Sequence, residues 1–277
     1  MFGQKSCSDL RTWLLGVGFF YFLPALADAE TPRPILQVAT IEHPPHSFQG
    51  EGQVVGFFPE VLKQVLEPVG YQLVFTLFPP KRTLFTLQSG NVDIVLPLVK
   101  NEEREKTLWF SKPVTCTGSV FYHRQDQPVR WHQWSDLAGY RIGGNGSYAY
   151  NPELMEAMDS GLIQVELAYD EAPNELNLRK LLAHRIDLAI LNPDVYSWLK
   201  EKAAPAYDTI VPVEGPMAGD WRGFYVGFSK HRPGTEALRD AFDSGLTAFQ
   251  KTPEWSALIA RYHIQVTSCP EASVSAP

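Results

Sequence analysis

Few stretches of this 277-residue chain gather side chains that do chemistry. His43 and His46 flank Pro44-Pro45. Two imidazoles so close invite a metal, but the prolines keep a helix from aligning them, and no cysteine or acidic cluster completes a shell. No metal and no cofactor are expected. The run Gly143-Gly144-Asn145-Gly146-Ser147 reads as a glycine-rich turn ahead of a helix near Pro152. Amides at a helix N-terminus donate to anions, and Ser147 adds a hydroxyl; a turn with no ligand is the alternative. It is no nucleotide loop, since neither Gly-Lys-Ser/Thr nor Gly-x-Gly-x-x-Gly is present. Arg82 follows Pro79-Pro80, where it either lines a cleft or stands as a solvated first-turn charge. Gly-x-Ser-x-Gly and His-Glu-x-x-His are absent, so nothing points to hydrolysis.

The elements that must position these residues follow from the bulk pattern. The chain is 44% hydrophobic, enough for sizeable cores, and 20% charged, with a net charge of −7 that makes nucleic acid a poor partner. Lys5 and Arg11, the apolar run Trp13 to Leu26 and the site Ala25-Leu26-Ala27 read as a secretory signal peptide over residues 1–27. A retained anchor is the alternative, disfavoured because the run is short for a bilayer. Export to the periplasm is expected, and Cys7 leaves with the peptide.

Strands are expected at Ile35–Thr40, Tyr71–Leu77, Asp93–Leu98, Tyr140–Gly143, Ile163–Ala168 and Asp187–Leu191. Between them lie helices opened by Pro59 and closed by Gly70, at Lys81–Ser89, near Pro152 and at Leu176–Leu182, and two amphipathic helices end the chain, one capped by Thr235 and one started by Thr252-Pro253. The alternation predicts an α/β fold in two halves, with ligands held between sheets at the carboxyl ends of strands.

Seven segments in order resemble the periplasmic solute-binding proteins of the amino-acid-binding type, family 3. They are Ile35–Pro45, Val55–Glu60, Leu87–Asp93, Glu103-Arg104 with Phe110–Pro113, Asp136–Gly139, Leu182–Asp187 and Tyr225–Ser229 with the final helices. The resemblance implies a two-lobed type II periplasmic binding protein-like fold with a ligand cleft between lobes. The first lobe would hold residues 33–120 and 223–277, and the second 121–222. It also implies a monomer that captures a small polar, carboxylate-bearing ligand, an amino acid or relative, for an ABC permease, and that does no chemistry on it. Alternatives on the same fold are a secreted enzyme similar to cyclohexadienyl dehydratase, with Glu42 or Asp194 as its acid, and a sensor that docks on a membrane receptor.

Arg104 stands where the family clamps a ligand carboxylate. A guanidinium offers a planar fork to two carboxylate oxygens, unless it is spent on Glu102, Glu103 or Glu105. Glu42 and His43 follow the first strand, where the family places ligand-facing side chains. Two departures stand out: Asn192 replaces the acid that holds a ligand ammonium, with Asp194 two residues on as the alternative for that role, and Pro97-Leu98 replaces a hydroxyl-bearing pair. Cys116 and Cys269 would both belong to the first lobe or its border, which favours a disulfide over two separate buried thiols.

Overall fold

The computed structural model describes residues 33–79, 90–216, 218, 219 and 221–265. The expected leader, the helix over 81–89 with Arg82, and Cys269 lie outside them.

The first sheet has the order β4-β1-β5-β13-β6, with β7 also paired to β13. Its strands are β1 (Ile35–Thr40), β4 (Gln72–Leu77), β5 (Ile94–Val99), β6 (Leu108–Phe110), β7 (Thr115–Thr117) and β13 (Arg222–Ser229). β1 runs parallel to β4 and β5, and β13 antiparallel to β5, β6 and β7. Parallel strands covered on both faces lose polar–apolar alternation, as β5 shows with five of its six residues buried. A hairpin, β2 (Phe48–Gln49) with β3 (Val54–Val55), leads into α1 (Phe57–Leu66). Helices α1, α6 (Thr235–Phe249) and α7 (Pro253–Arg261) share one core with this sheet, through Phe57, Phe58, Leu62, Phe242 and Trp255.

The second sheet has the order β10-β9-β11-β8-β12, from β8 (Val120–Arg124), β9 (Ile142–Asn145), β10 (Val165–Ala168), β11 (Leu188–Leu191) and β12 (Ile210–Pro212). Helices α3 (Pro152–Asp159), α4 (Pro173–Leu182) and α5 (Pro193–Lys202) join its strands. Alternate residues face two cores: Phe121, Leu188 and Ile190 enter one, Tyr122, Ala189 and Leu191 the other. The chain thus forms two lobes and crosses between their sheets twice, from β7 to β8 and from β12 to β13.

Three local expectations are corrected. α1 begins at Phe57 and ends at Leu66, so Val69 falls beyond it and is 63% exposed. Gly56 at its N-cap has φ 128°, and a Cβ there would lie 2.7 Å from the His46 carbonyl oxygen. That close approach lets the Phe57 and Phe58 amides donate to Pro45 and His46, which seats the histidine loop on the helix start. Thr235 is the first residue of α6 rather than its cap; its hydroxyl donates to the Ser229 and Arg232 carbonyls. Gly143 and Gly144 lie inside β9 rather than in a turn. A Cβ on Gly143 would lie 2.6 Å from Asn177 Oδ1, so glycine serves close packing of α4 on the strand.

Candidate functional site

A cavity of ≈ 290 Å³ opens between the lobes, lined from β5, α2 (Glu102–Thr107), the β7–β8 crossing, the segment after β9, and the start of β13. Arg104 is the third residue of α2. Asn101 caps that helix by accepting from the Arg104 amide at 2.9 Å, which fixes where the side chain leaves the backbone. Its Nη1 donates to the Val99 carbonyl at 2.6 Å. Among the described residues its acidic neighbours do not pair with it; Glu105 instead bridges to Lys100 at 2.8 Å. Burial pulls the guanidinium below its ordinary pKa, countered by the charge of Glu103.

Arg222, at the start of β13 and opposite Thr117 of β7, lines the same cavity. Its Nη2 donates to the Ala149 carbonyl of the second lobe at 2.5 Å, and its Nε is buried without a partner. Burial lowers its pKa, and the positive charge of Arg104 lowers it further. The sequence reading placed Arg222 only at a lobe border. Its signal was position: it stands where the chain re-enters the first sheet, beside the cleft.

His43 lines the cavity and stacks on Tyr148 of the other lobe, with centroids 5.2 Å apart and planes 19° from parallel. Burial lowers the His43 pKa to about 4, so the ring is neutral at pH 7. His46 is not a cleft residue. It is fully buried against Phe58 and Phe224, and burial holds it well below the ordinary value. Among the described residues no group of three or more potential metal ligands occurs.

The other expected residues divide. Ser147 lines the cavity, but its amide donates to Asn145 Oδ1 at 2.9 Å and α3 starts only at Pro152, so the expected anion-binding helix terminus is not formed there. Tyr148 and Tyr150, which follow it, carry the polar atoms instead. The Tyr148 oxygen accepts from Asn174 Nδ2 at 2.6 Å, and the Tyr150 oxygen from the Asn145 amide at 2.7 Å. Asn192 lines the cavity as the cap of α5: its Oδ1 accepts from the Asp194 and Val195 amides, and its Nδ2 donates to Thr117 Oγ1 at 2.8 Å. Glu42 is exposed, accepts from the Gln49 amide at 3.0 Å, and faces a second cavity of ≈ 430 Å³ beside the first. Leu96, Pro97, Leu98 and Phe224 supply apolar wall. Cys116 on β7 is buried and disulfide-bonded.

The family model for bacterial extracellular solute-binding proteins, family 3, matches residues 36–265. The chain belongs to that family. Its fold is the type II periplasmic binding protein fold shared by many solved structures. One is an amino acid ABC transporter substrate-binding protein, AbpA, from Streptococcus pneumoniae, bound to L-arginine: 20% identity, TM-score 0.64, covering 82% of this chain and 94% of that one. Another is a histidine kinase sensor domain similar to periplasmic binding proteins: 21% identity, TM-score 0.67, covering 86% and 99%. A third is the ancestral amino acid-binding protein AncCDT-1, a precursor of cyclohexadienyl dehydratase: 18% identity, TM-score 0.64, covering 82% and 94%. At these identities the likeness establishes fold alone. Comparison with curated proteins gives no match. Among the described residues no helix is long and apolar enough to cross a membrane.

Proposed function

We propose that the chain is an exported, monomeric solute-binding protein that closes around a small carboxylate-bearing ligand and delivers it, unchanged, to an ABC importer in the inner membrane. One closing lobe carries the first sheet, from residue 33 through β7 and again from Arg222 onward, and the other carries the second sheet, from β8 through β12. The observation that carries this reading is Arg104, whose guanidinium lines an interlobe cavity free of ion pairs among the described residues. Thr117 on one side and Tyr148 and Tyr150 on the other line the same space from both lobes. Contacts made from both lobes at once favour the closed state, and a ligand shifts that equilibrium by its differential affinity for the two states. Tyr148 stacking on His43 is a contact that closure makes and opening breaks.

The test is calorimetry with small carboxylates, found by a thermal-shift screen, on the parent and Arg104→Ala. Losing a largely desolvated charged partner costs about 2–5 kcal/mol, so the variant is expected to bind at least about thirtyfold more weakly. Arg104→Lys is expected to recover only part, since it keeps the charge and loses the fork. Equal binding by Arg104→Ala would remove the anchor, and consumption of the ligand during the titration would turn the reading toward an enzyme.

A further inference from the structure

The chemistry of the cavity narrows the ligand further, an inference that rests on the carboxylate-binding role proposed above. Two guanidinium groups, Arg104 and Arg222, line the same cavity of ≈ 290 Å³, and among the described residues no aspartate or glutamate does. Neither group is used up. Each makes one hydrogen bond to a backbone carbonyl, to Val99 and Ala149 respectively, out of five N–H donors, and Arg222 Nε is buried without a partner. The two positive charges disfavour each other, and an anion held by both relieves that repulsion.

Three hydroxyl-bearing residues of the lining add donors rather than negative charge. The hydroxyl oxygens of Thr117, Tyr148 and Tyr150 each accept a hydrogen bond from the protein, which leaves each proton to donate to a ligand. Asn192 Oδ1 already receives two backbone N–H groups. No described group in this cavity offers a negative charge to a ligand ammonium, and burying one unpaired is costly. The neighbouring cavity has the opposite character, with Glu42, Asp170, Glu171 and Glu175 around it. An anion is repelled from that side, so the ligand is confined to the smaller space.

We infer that the ligand is a compact organic dianion of the dicarboxylate class without an ammonium group, one carboxylate held by Arg104 and the other by Arg222. Arg222 is then the residue that sets specificity, by distinguishing a second carboxylate from a methyl end.

Calorimetry on the purified protein, refolded to strip carried-over ligand, tests this with matched probes. Succinate and glutarate are compared with L-aspartate and L-glutamate, which add only an ammonium, and with butyrate, which lacks the second carboxylate. Inorganic phosphate and L-arginine complete the set. A dicarboxylate is expected to bind at least about tenfold more tightly than its α-amino counterpart and than butyrate, as one unpaired or missing charge implies. Arg222→Gln is expected to erase the advantage over butyrate while leaving butyrate itself nearly unchanged, and Arg222→Lys to keep part of it. Aspartate, glutamate or arginine binding more tightly than either dicarboxylate overturns the dianion and leaves the carboxylate-binding role standing. Phosphate or butyrate binding as tightly as the dicarboxylates also overturns it. Failure of every carboxylate in the set to bind overturns both readings. Should Arg222→Gln not fold, the Lys variant and the comparison of succinate with aspartate on the parent decide the matter.

Discussion

Replacing Asp194 by asparagine is expected to stabilise the protein at neutral and alkaline pH. Asp194 is the second residue of α5 and only 2% exposed. Its Oδ1 accepts from the Gln265 amide at 2.6 Å, a bond that an asparagine oxygen also accepts. Its Oδ2 is buried without a hydrogen bond, 3.7 Å from His46 Nε2. Two effects compete. A helix N-terminus favours the carboxylate by about 0.3–1 kcal/mol. Burial moves the carboxyl from the ordinary 3.8 to about 7, which at about 1.4 kcal/mol per unit amounts to about 4 kcal/mol, so burial wins. Between these two values the folded chain holds a proton that the unfolded chain has released, so the contribution of Asp194 to stability falls as pH rises through that window. Asp194→Asn does not titrate. It is expected to exceed the parent by about 2 kcal/mol at pH 5 and about 4 kcal/mol at pH 8, as order-of-magnitude figures. Urea unfolding of both proteins from pH 5 to pH 8 measures the difference. An asparagine variant less stable than the parent at pH 8 would refute the reasoning, because it would mean that the Asp194 carboxylate is stabilised by pairing with a protonated His46 rather than penalised by burial.

Three further outcomes follow from the site. Asn192→Ala removes both the cap of α5 and the bond to Thr117, and is expected to cost about 1–3 kcal/mol in urea unfolding. His43 has the opposite sign to Asp194: its pKa falls from 6.5 to about 4, so the unfolded chain takes up the proton first and stability is lost as pH falls through that window. The loss is about 2 kcal/mol by pH 5, and a pH series of unfolding curves should show it absent in His43→Gln. Arg104→Ala, already described, should weaken binding at least about thirtyfold while its melting temperature stays near that of the parent.

Much of this protein was legible before folding. β1 ends where expected because Ile35–Thr40 is a run of strand formers cut by the loop before Pro44-Pro45. Arg104 was picked out because its motif is local, Glu103-Arg104 ahead of Phe110–Pro113; in the structure Asn101 caps the short helix from which it lines the cavity. Glycine was less readable, because Gly143 and Gly144 look the same in sequence whether they turn a chain or admit a neighbour; only α4 packed on β9 decides between the two. Arg222 stands 118 positions from Arg104 in the chain. No local pattern ties them, and only the second crossing between the sheets brings both to one cavity. The same holds for His46 and Asp194, whose charge states depend on burial that no neighbouring residue reveals. The sequence by itself determined the two α/β lobes and their order, since hydrophobic periodicity and capping act over a few residues. Tertiary structure alone decided which second arginine faces the first, and which of the expected polar atoms were already spent on the protein's own hydrogen bonds, because both depend on contacts between segments far apart in the chain.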